Sequence, residues 1–236
     1  MATLIFDIET VGEDFDSLDE TTQESLTRWI SRESKDEEEY RAALADVKDG
    51  LGFSPLTGEI VAVGILDLER EKGAVYYQSP GSEGIVEEEG AFKYESMTER
   101  ALLEKFWDVA RSYDTFVSFN GRAFDAPFLM VRSAIRGVRP SKNLVANRYL
   151  NLQPRDAKHV DLLEQLSFYG AVRRKGSLHL WTRAFDIESP KAGGVSGDDV
   201  ATLFREGRHA DIARYNAGDL RATGELYRKY AEYLSF

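Results

Sequence analysis

The chain has 236 residues, 42% of them hydrophobic, and a formal net charge of -11. That length is enough to bury a full core, while so acidic a balance argues against a protein that coats nucleic acid through its overall field. The absence of cysteine excludes disulfides, thiolate catalysis and sulfur-ligated zinc; no apolar run approaches a membrane span, and the N-terminus reads as a strand rather than a basic and apolar leader, so the expectation is a cytoplasmic protein with no membrane partner.

The first element is a strand over residues 3–7 running into Glu9, with Asp7 and Glu9 set two apart. Alternate side chains of a strand share one face, so the two carboxylates point one way while Phe6 and Ile8 enter the core. Side by side they repel each other and are expensive to desolvate, and a divalent cation between them removes that cost. Residues 13–52 then change character. Ser17–Ile30 and Asp36–Val47 read as two acid-rich helices, an insertion hung on the strand's exit that could be a lid, a surface for a protein partner, or decoration.

Strands follow at 59–68 and 73–78, the first a nearly continuous apolar run. Gly81–Gly90 reads as a glycine- and glutamate-rich loop. Ser96-Met97-Thr98-Glu99 has the pattern of a capping box and opens a helix to about Ser112, after which Thr115–Phe119 is a buried strand. Asn120-Gly121 ends it, and Asp125, just ahead of Pro127, stands where a helix N-cap is expected. A short strand at 159–163 leads into another helix. Lys191–Gly197 is a glycine-rich loop, and Asp198–Phe204 and His209–Tyr233 are helical. From Arg132 to Lys175 there are ten Lys or Arg against three acids, which reads either as a solvated face or as the wall of a groove for a polyanion.

The long C-terminal helix carries Tyr215 and Asp219, four apart and so on one face, beside an apolar stripe of Ile212, Leu220, Thr223 and Leu226. Three segments now stand in one order: Phe6-Asp-Ile-Glu-Thr10, Ser118-Phe-Asn-Gly-Arg-Ala-Phe-Asp125 and Ile212-Ala-Arg-Tyr-Asn-Ala-Gly-Asp219. In them the chain resembles the DEDD superfamily of 3′-5′ exonucleases, in its tyrosine-bearing branch. It is most similar to the stand-alone exonucleases related to the proofreading domain of family B DNA polymerases. The sister branch has histidine five residues before the last aspartate, where this chain has Arg214.

The resemblance implies a single α/β exonuclease domain over residues 1–236, with a ribonuclease H-like fold: a five-stranded mixed sheet with helices on both faces and a helical insertion after the first strand. It implies that Asp7, Glu9, Asp125 and Asp219 hold two divalent cations, Mg²⁺ or Mn²⁺, as hard oxygen ligands suit, and that Tyr215 orients the nucleophilic water. It further implies that Thr10 and Asn120 approach the 3′-terminal nucleotide and that Phe124 lies against a base. Lys191 could contact a phosphate, Asp161 would support the site from behind, and His159 and His179 would be structural. The expected activity is metal-dependent 3′-5′ hydrolysis of single-stranded ends, DNA preferred. The same chemistry on RNA, or a catalytically silent nucleic-acid-binding protein of the same fold, are the alternatives.

Overall fold

The computed structural model describes residues 2–189 and 197–235. Its centre is a mixed sheet of seven strands: β1 (Thr3–Gly12), β2 (Gly58–Asp67), β3 (Lys72–Tyr77), β4 (Val86–Glu89), β5 (Phe92–Ser96), β6 (Thr115–Ser118) and β7 (Lys158–Asp161). The spatial order is β4-β5-β3-β2-β1-β6-β7. β1, β2 and β3 form an antiparallel meander, while β6 and β7 run parallel to β1 on its other side.

The sheet exceeds the five strands expected, and the two extra ones lie in and after the glycine- and glutamate-rich stretch. β4 is exposed along its whole length and has no apolar alternation, so hydrophobic periodicity carries no trace of it. It is a strand because it pairs with β5, which joins β3 in parallel and sends Phe92, Tyr94 and Ser96 inward.

Both faces of the sheet are covered. Leu4, Phe6 and Ile8 of β1 pack on one side with α4 (Glu99–Ala110) and α5 (Asp125–Ile135), through Leu102, Phe106, Phe128 and Leu129. Ile5 faces the other side, with α6 (Leu162–Leu166), α8 (Val200–Arg205) and the long α9 (His209–Tyr233). The insertion after β1 contains three helices where the periodicity suggests two: α1 (Glu20–Thr27), α2 (Ile30–Glu33) and α3 (Glu37–Gly50). A further short helix, α7 (Leu178–Ala184), precedes α8.

The capping box does not form. Ser96 closes β5, and Thr98 caps α4 by accepting from the Ala101 amide at 3.4 Å. Glu99 goes elsewhere: it is buried, receives both Arg132 guanidinium donors at 2.8 Å and the Ile60 amide at 2.9 Å, and also binds Arg136. These charge-assisted bonds hold its carboxyl below the usual range against the opposing effect of burial. Two cations of the basic stretch are thereby structural.

No described helix is long and apolar enough to cross a membrane.

Candidate active site

The site lies where β1 meets α9. Strand alternation turns Asp7 and Glu9 to the α9 face, and a register shift between Glu9 and Thr10 interrupts the pairing with β2 just after them before it resumes at Thr10 and Ile60. Asp7, Glu9 and Asp219 each bring a carboxylate oxygen to within 4.8 Å of the others. Asn216, fully buried on α9, donates to Asp7 Oδ2 at 2.8 Å and to Glu9 Oε1 at 3.3 Å. Its own carbonyl oxygen has no partner among the described residues. The space for this side chain comes from β2: Gly64 stands opposite Asp7, and a Cβ there would lie 1.9 Å from Asn216 Oδ1.

Asp125 arrives from the other side of β1. It is not an N-cap but the first residue of α5, and its Oδ1 accepts from the backbone amide of Ile8 at 3.0 Å, between the two strand carboxylates. The turn that delivers it is held by Asp161 at the end of β7, whose carboxylate accepts the amides of Asn120 (3.0 Å) and Arg122 (2.9 Å), together with Leu163 and Glu164 of α6. Asn120 adopts a left-handed backbone, φ 63°, which asparagine tolerates better than most residues. Gly121 has no room for a side chain, since a Cβ would sit 2.1 Å from Ser118 Oγ.

Burial, followed by the charges of Asp125, Glu9 and Asp219, pushes the Asp7 carboxyl well above its ordinary range. Glu9 is raised by burial and Asp219 against the lowering effect of Asn216. Asp125 is pushed up to about 7, chiefly by burial, while its bond from Ile8 opposes the shift. Burial and the neighbouring Asp219 and Glu9 charges raise the Tyr215 phenol far above its normal value. The phenol is therefore a fixed donor at neutral pH. A buried cluster of mutually repelling carboxylates is a donor set that a hard divalent cation fits.

The other expected residues fall into three groups. Phe124 is half-buried beside Asp125, with its ring 5.4 Å from Phe128 and 6.4 Å from Phe53, just after the insertion. Thr10 spends its hydroxyl on Gly52 O at 2.7 Å, tying the insertion to the exit of β1, and Asn120 is exposed on the turn. Lys191 lies outside the described residues. His159 is structural: it is buried between Ser118 Oγ (2.7 Å) and Leu144 O (2.9 Å), and burial lowers it to about 4. His179 contacts Ser189 Oγ at 2.7 Å.

Asn216 and Gly64 are site residues that sequence reasoning does not single out. An asparagine in the middle of a helix is a weak helix former, and that is the one signal the sequence offers.

A family described as a predicted 3′-5′ exonuclease related to the exonuclease domain of PolB matches residues 81–234, well over half of the chain. The chain belongs to that family. Among curated relatives of this PolB-exonuclease-related chain, the catalytic subunit of DNA polymerase epsilon from Emericella nidulans is 26% identical over 189 residues, covering 77% of the chain but 8% of that protein. Its Aspergillus fumigatus counterpart is 25% identical with the same coverage. The chain thus spans less than a tenth of these relatives. The family B DNA polymerase of Pyrobaculum calidifontis shares the fold, with a TM-score of 0.55 at 18% identity over 98% of this chain and 24% of that one.

Proposed function

We propose that the protein is a metal-dependent 3′-5′ exonuclease that removes nucleoside 5′-monophosphates from single-stranded ends, with DNA as the preferred substrate. The observation that carries this reading is the convergence of Asp7, Glu9 and Asp219 within 4.8 Å, with Tyr215 one helical turn from Asp219 on α9. The relatives' description as DNA polymerases supports the choice of sugar.

Asp7, Glu9, Asp125 and Asp219 are the residues that would hold two divalent cations, Mg²⁺ or Mn²⁺. When bound, such ions supply Lewis acidity toward a phosphodiester and neutralise charge on its oxygens. The protein's own groups do the positioning. Asn216 fixes the rotamers of Asp7 and Glu9. Ile8 N–H holds one oxygen of Asp125. Tyr215 stays protonated and presents an oxygen that can accept from an incoming water, which orients the water and does not deprotonate it. Water oxygen adds to phosphorus and loses a proton to solvent, the P–O3′ bond breaks, and O3′ takes up a proton so that the shortened strand leaves with a 3′-hydroxyl. Thr10, Asn120 and Phe124 border the space for the terminal nucleotide, and sequence-tolerant stacking on Phe124 suits an enzyme that trims any base.

The test is a gel time course on 5′-labelled single-stranded DNA and matching RNA in Mg²⁺, Mn²⁺ or EDTA, beside Asp7→Ala. A ladder shortening from the 3′ end, lost in EDTA and in the variant, is the expected result. Folded wild-type protein that cleaves neither strand would overturn the reading.

A further inference from the structure

The basic stretch from 132 to 175 does not behave as one patch. Arg132 and Arg136 are committed to Glu99, and Arg148 reaches Glu164 at 2.7 Å. Arg173, Arg174 and Lys175 are exposed and form no ion pair among the described residues. Arg174 and Lys175, with Val172, Leu180 and Trp181, line an open depression of about 550 Å³. The indole N–H of Trp181 is buried there and finds no acceptor among the described residues. That lining offers donors and positive charge but no carboxylate.

Immediately before it the backbone is strained. Phe168 (φ 49°) and Tyr169 (φ 55°) are consecutive aromatic residues in the left-handed region, followed by Gly170 at φ 100°. Bulky residues there are strained and persist only where the surroundings impose the conformation. The imposition is visible: Ser167 O accepts the amides of Gly170 and Val172, and Tyr169 OH takes a bond from Gln165 at 3.0 Å. Tyr169 packs on Tyr149 with ring centroids 5.0 Å apart, and the Arg148 guanidinium lies 5.6 Å from the Tyr169 ring. The outcome is that Phe168 and Tyr149 are each about half exposed to solvent (53% and 49%). The cluster is joined to the site through Glu164, which Arg148 and Arg122 share; Arg122 belongs to the turn that Asp161 holds ahead of Asp125.

We propose that residues 148–181 form a binding track for the body of a single-stranded nucleic acid, with unpaired bases stacking on Tyr149 and Phe168 and backbone phosphates entering the Arg174–Lys175–Trp181 depression. The inference rests on the exonuclease reading for the direction in which the strand runs. Exposed aromatic faces, with unpaired cations a few residues further along the chain from Phe168, are what a single strand requires, because stacking is open to any unpaired base and phosphates supply the missing acceptors.

Anisotropy of 5′-fluorescein-labelled dT12 in EDTA tests the track without turnover. The variants are Phe168→Asn, which suits a left-handed backbone and removes the ring, and the double change Arg174→Gln with Lys175→Gln. Phe168→Asn should bind about tenfold more weakly while its melting temperature stays equal or rises, a combination that a purely structural phenylalanine would not give. The double variant should flatten the slope of log affinity against log salt by about 1.4, near 0.7 per lost phosphate contact. With Mn²⁺, the ratio of kcat/KM on dT12 to that on a dinucleotide should fall about tenfold in both variants. Unchanged affinity and unchanged salt slope in folded variants overturn the track, even if the wild type is a nuclease. Weakened binding by variants of a wild type that cleaves nothing overturns the exonuclease reading and leaves the track standing.

Discussion

Gly64 and Asn216 compete for one volume. The strand residue lacks a side chain where the helix residue inserts an amide between Asp7 and Glu9, and a Cβ on Gly64 would stand 1.9 Å from Asn216 Oδ1 and 2.6 Å from Leu220 Cδ1. Gly64→Ala is therefore expected to lower stability by about 1–3 kcal/mol and to reduce the proposed exonuclease activity by displacing the amide. In urea titrations, Gly64→Ala combined with Asn216→Ala should lose less than the sum of the two single changes, because the second substitution clears the overlap. Additivity of the two would mean that the amide does not fill that space.

Asp125 and Tyr215 should separate in kinetics. Asp125→Ala leaves the Ile8 amide without its acceptor and removes one proposed ligand, so turnover should vanish. Tyr215→Phe keeps every carboxylate. Its rate should drop about a hundredfold, the scale of losing one well-placed polar group at a reacting centre. Mn²⁺ affinity, followed by calorimetry, should change little. A Tyr215→Phe protein with full activity would remove the phenol from the mechanism.

The carboxylate cluster predicts a trade between stability and activity. The Asp7 carboxyl is raised in the fold, so the folded state holds its proton more tightly than the unfolded chain, and stability falls as pH rises from the ordinary carboxylate range through the raised value. Asp125 acts the same way between its ordinary 3.8 and about 7. At neutral pH in EDTA, Asp7→Asn should thus melt several degrees higher than wild type, at about 2–4 °C per kcal/mol for a chain of this size. Added Mn²⁺ should raise the wild type more than the variant. Calorimetric scans with and without the ion decide it.

His159 has the opposite sign. Burial keeps it neutral, with its pKa at about 4 in place of 6.5. The unfolded chain takes up the proton first, and stability is lost as pH falls through 6.5 toward 4, by about 3 kcal/mol if the whole shift is expressed. The acidic cluster masks this in wild type alone. In EDTA, the difference in unfolding free energy between wild type and His159→Asn should shrink by that amount from about pH 7 to about pH 4. A difference that does not vary with pH would place the imidazole in contact with water.

What the sequence discloses follows from how each feature is encoded. Asp7 and Glu9 are legible because a period of two on an apolar strand leaves few places for carboxylates, and Tyr215 with Asp219 because four residues make about one helical turn. Asn216 is hidden between them as a spacer: its role depends on the glycine opposite, on a strand far away in sequence. β4 is invisible because an exposed Val-Glu-Glu-Glu edge has no hydrophobic pattern, its strand state being set by β5 alone. Glu99 looks like a local cap and is instead the partner of two arginines more than thirty residues on, arginines that by position alone belong to a basic groove. For Asn216 and Glu99 a long-range partner decides what local spacing cannot.

The pairing of β1 with α9 also sets when, during synthesis, the proposed site can assemble. Asn216 and Asp7 are 209 residues apart, so during translation the strand carboxylates emerge long before the helix that gathers them. A nascent chain halted ahead of α9 carries Asp7 and Glu9 as ordinary acids on an incomplete sheet. The carboxylate cluster forms only when that helix docks, so under the proposed function a partly made chain cannot cut.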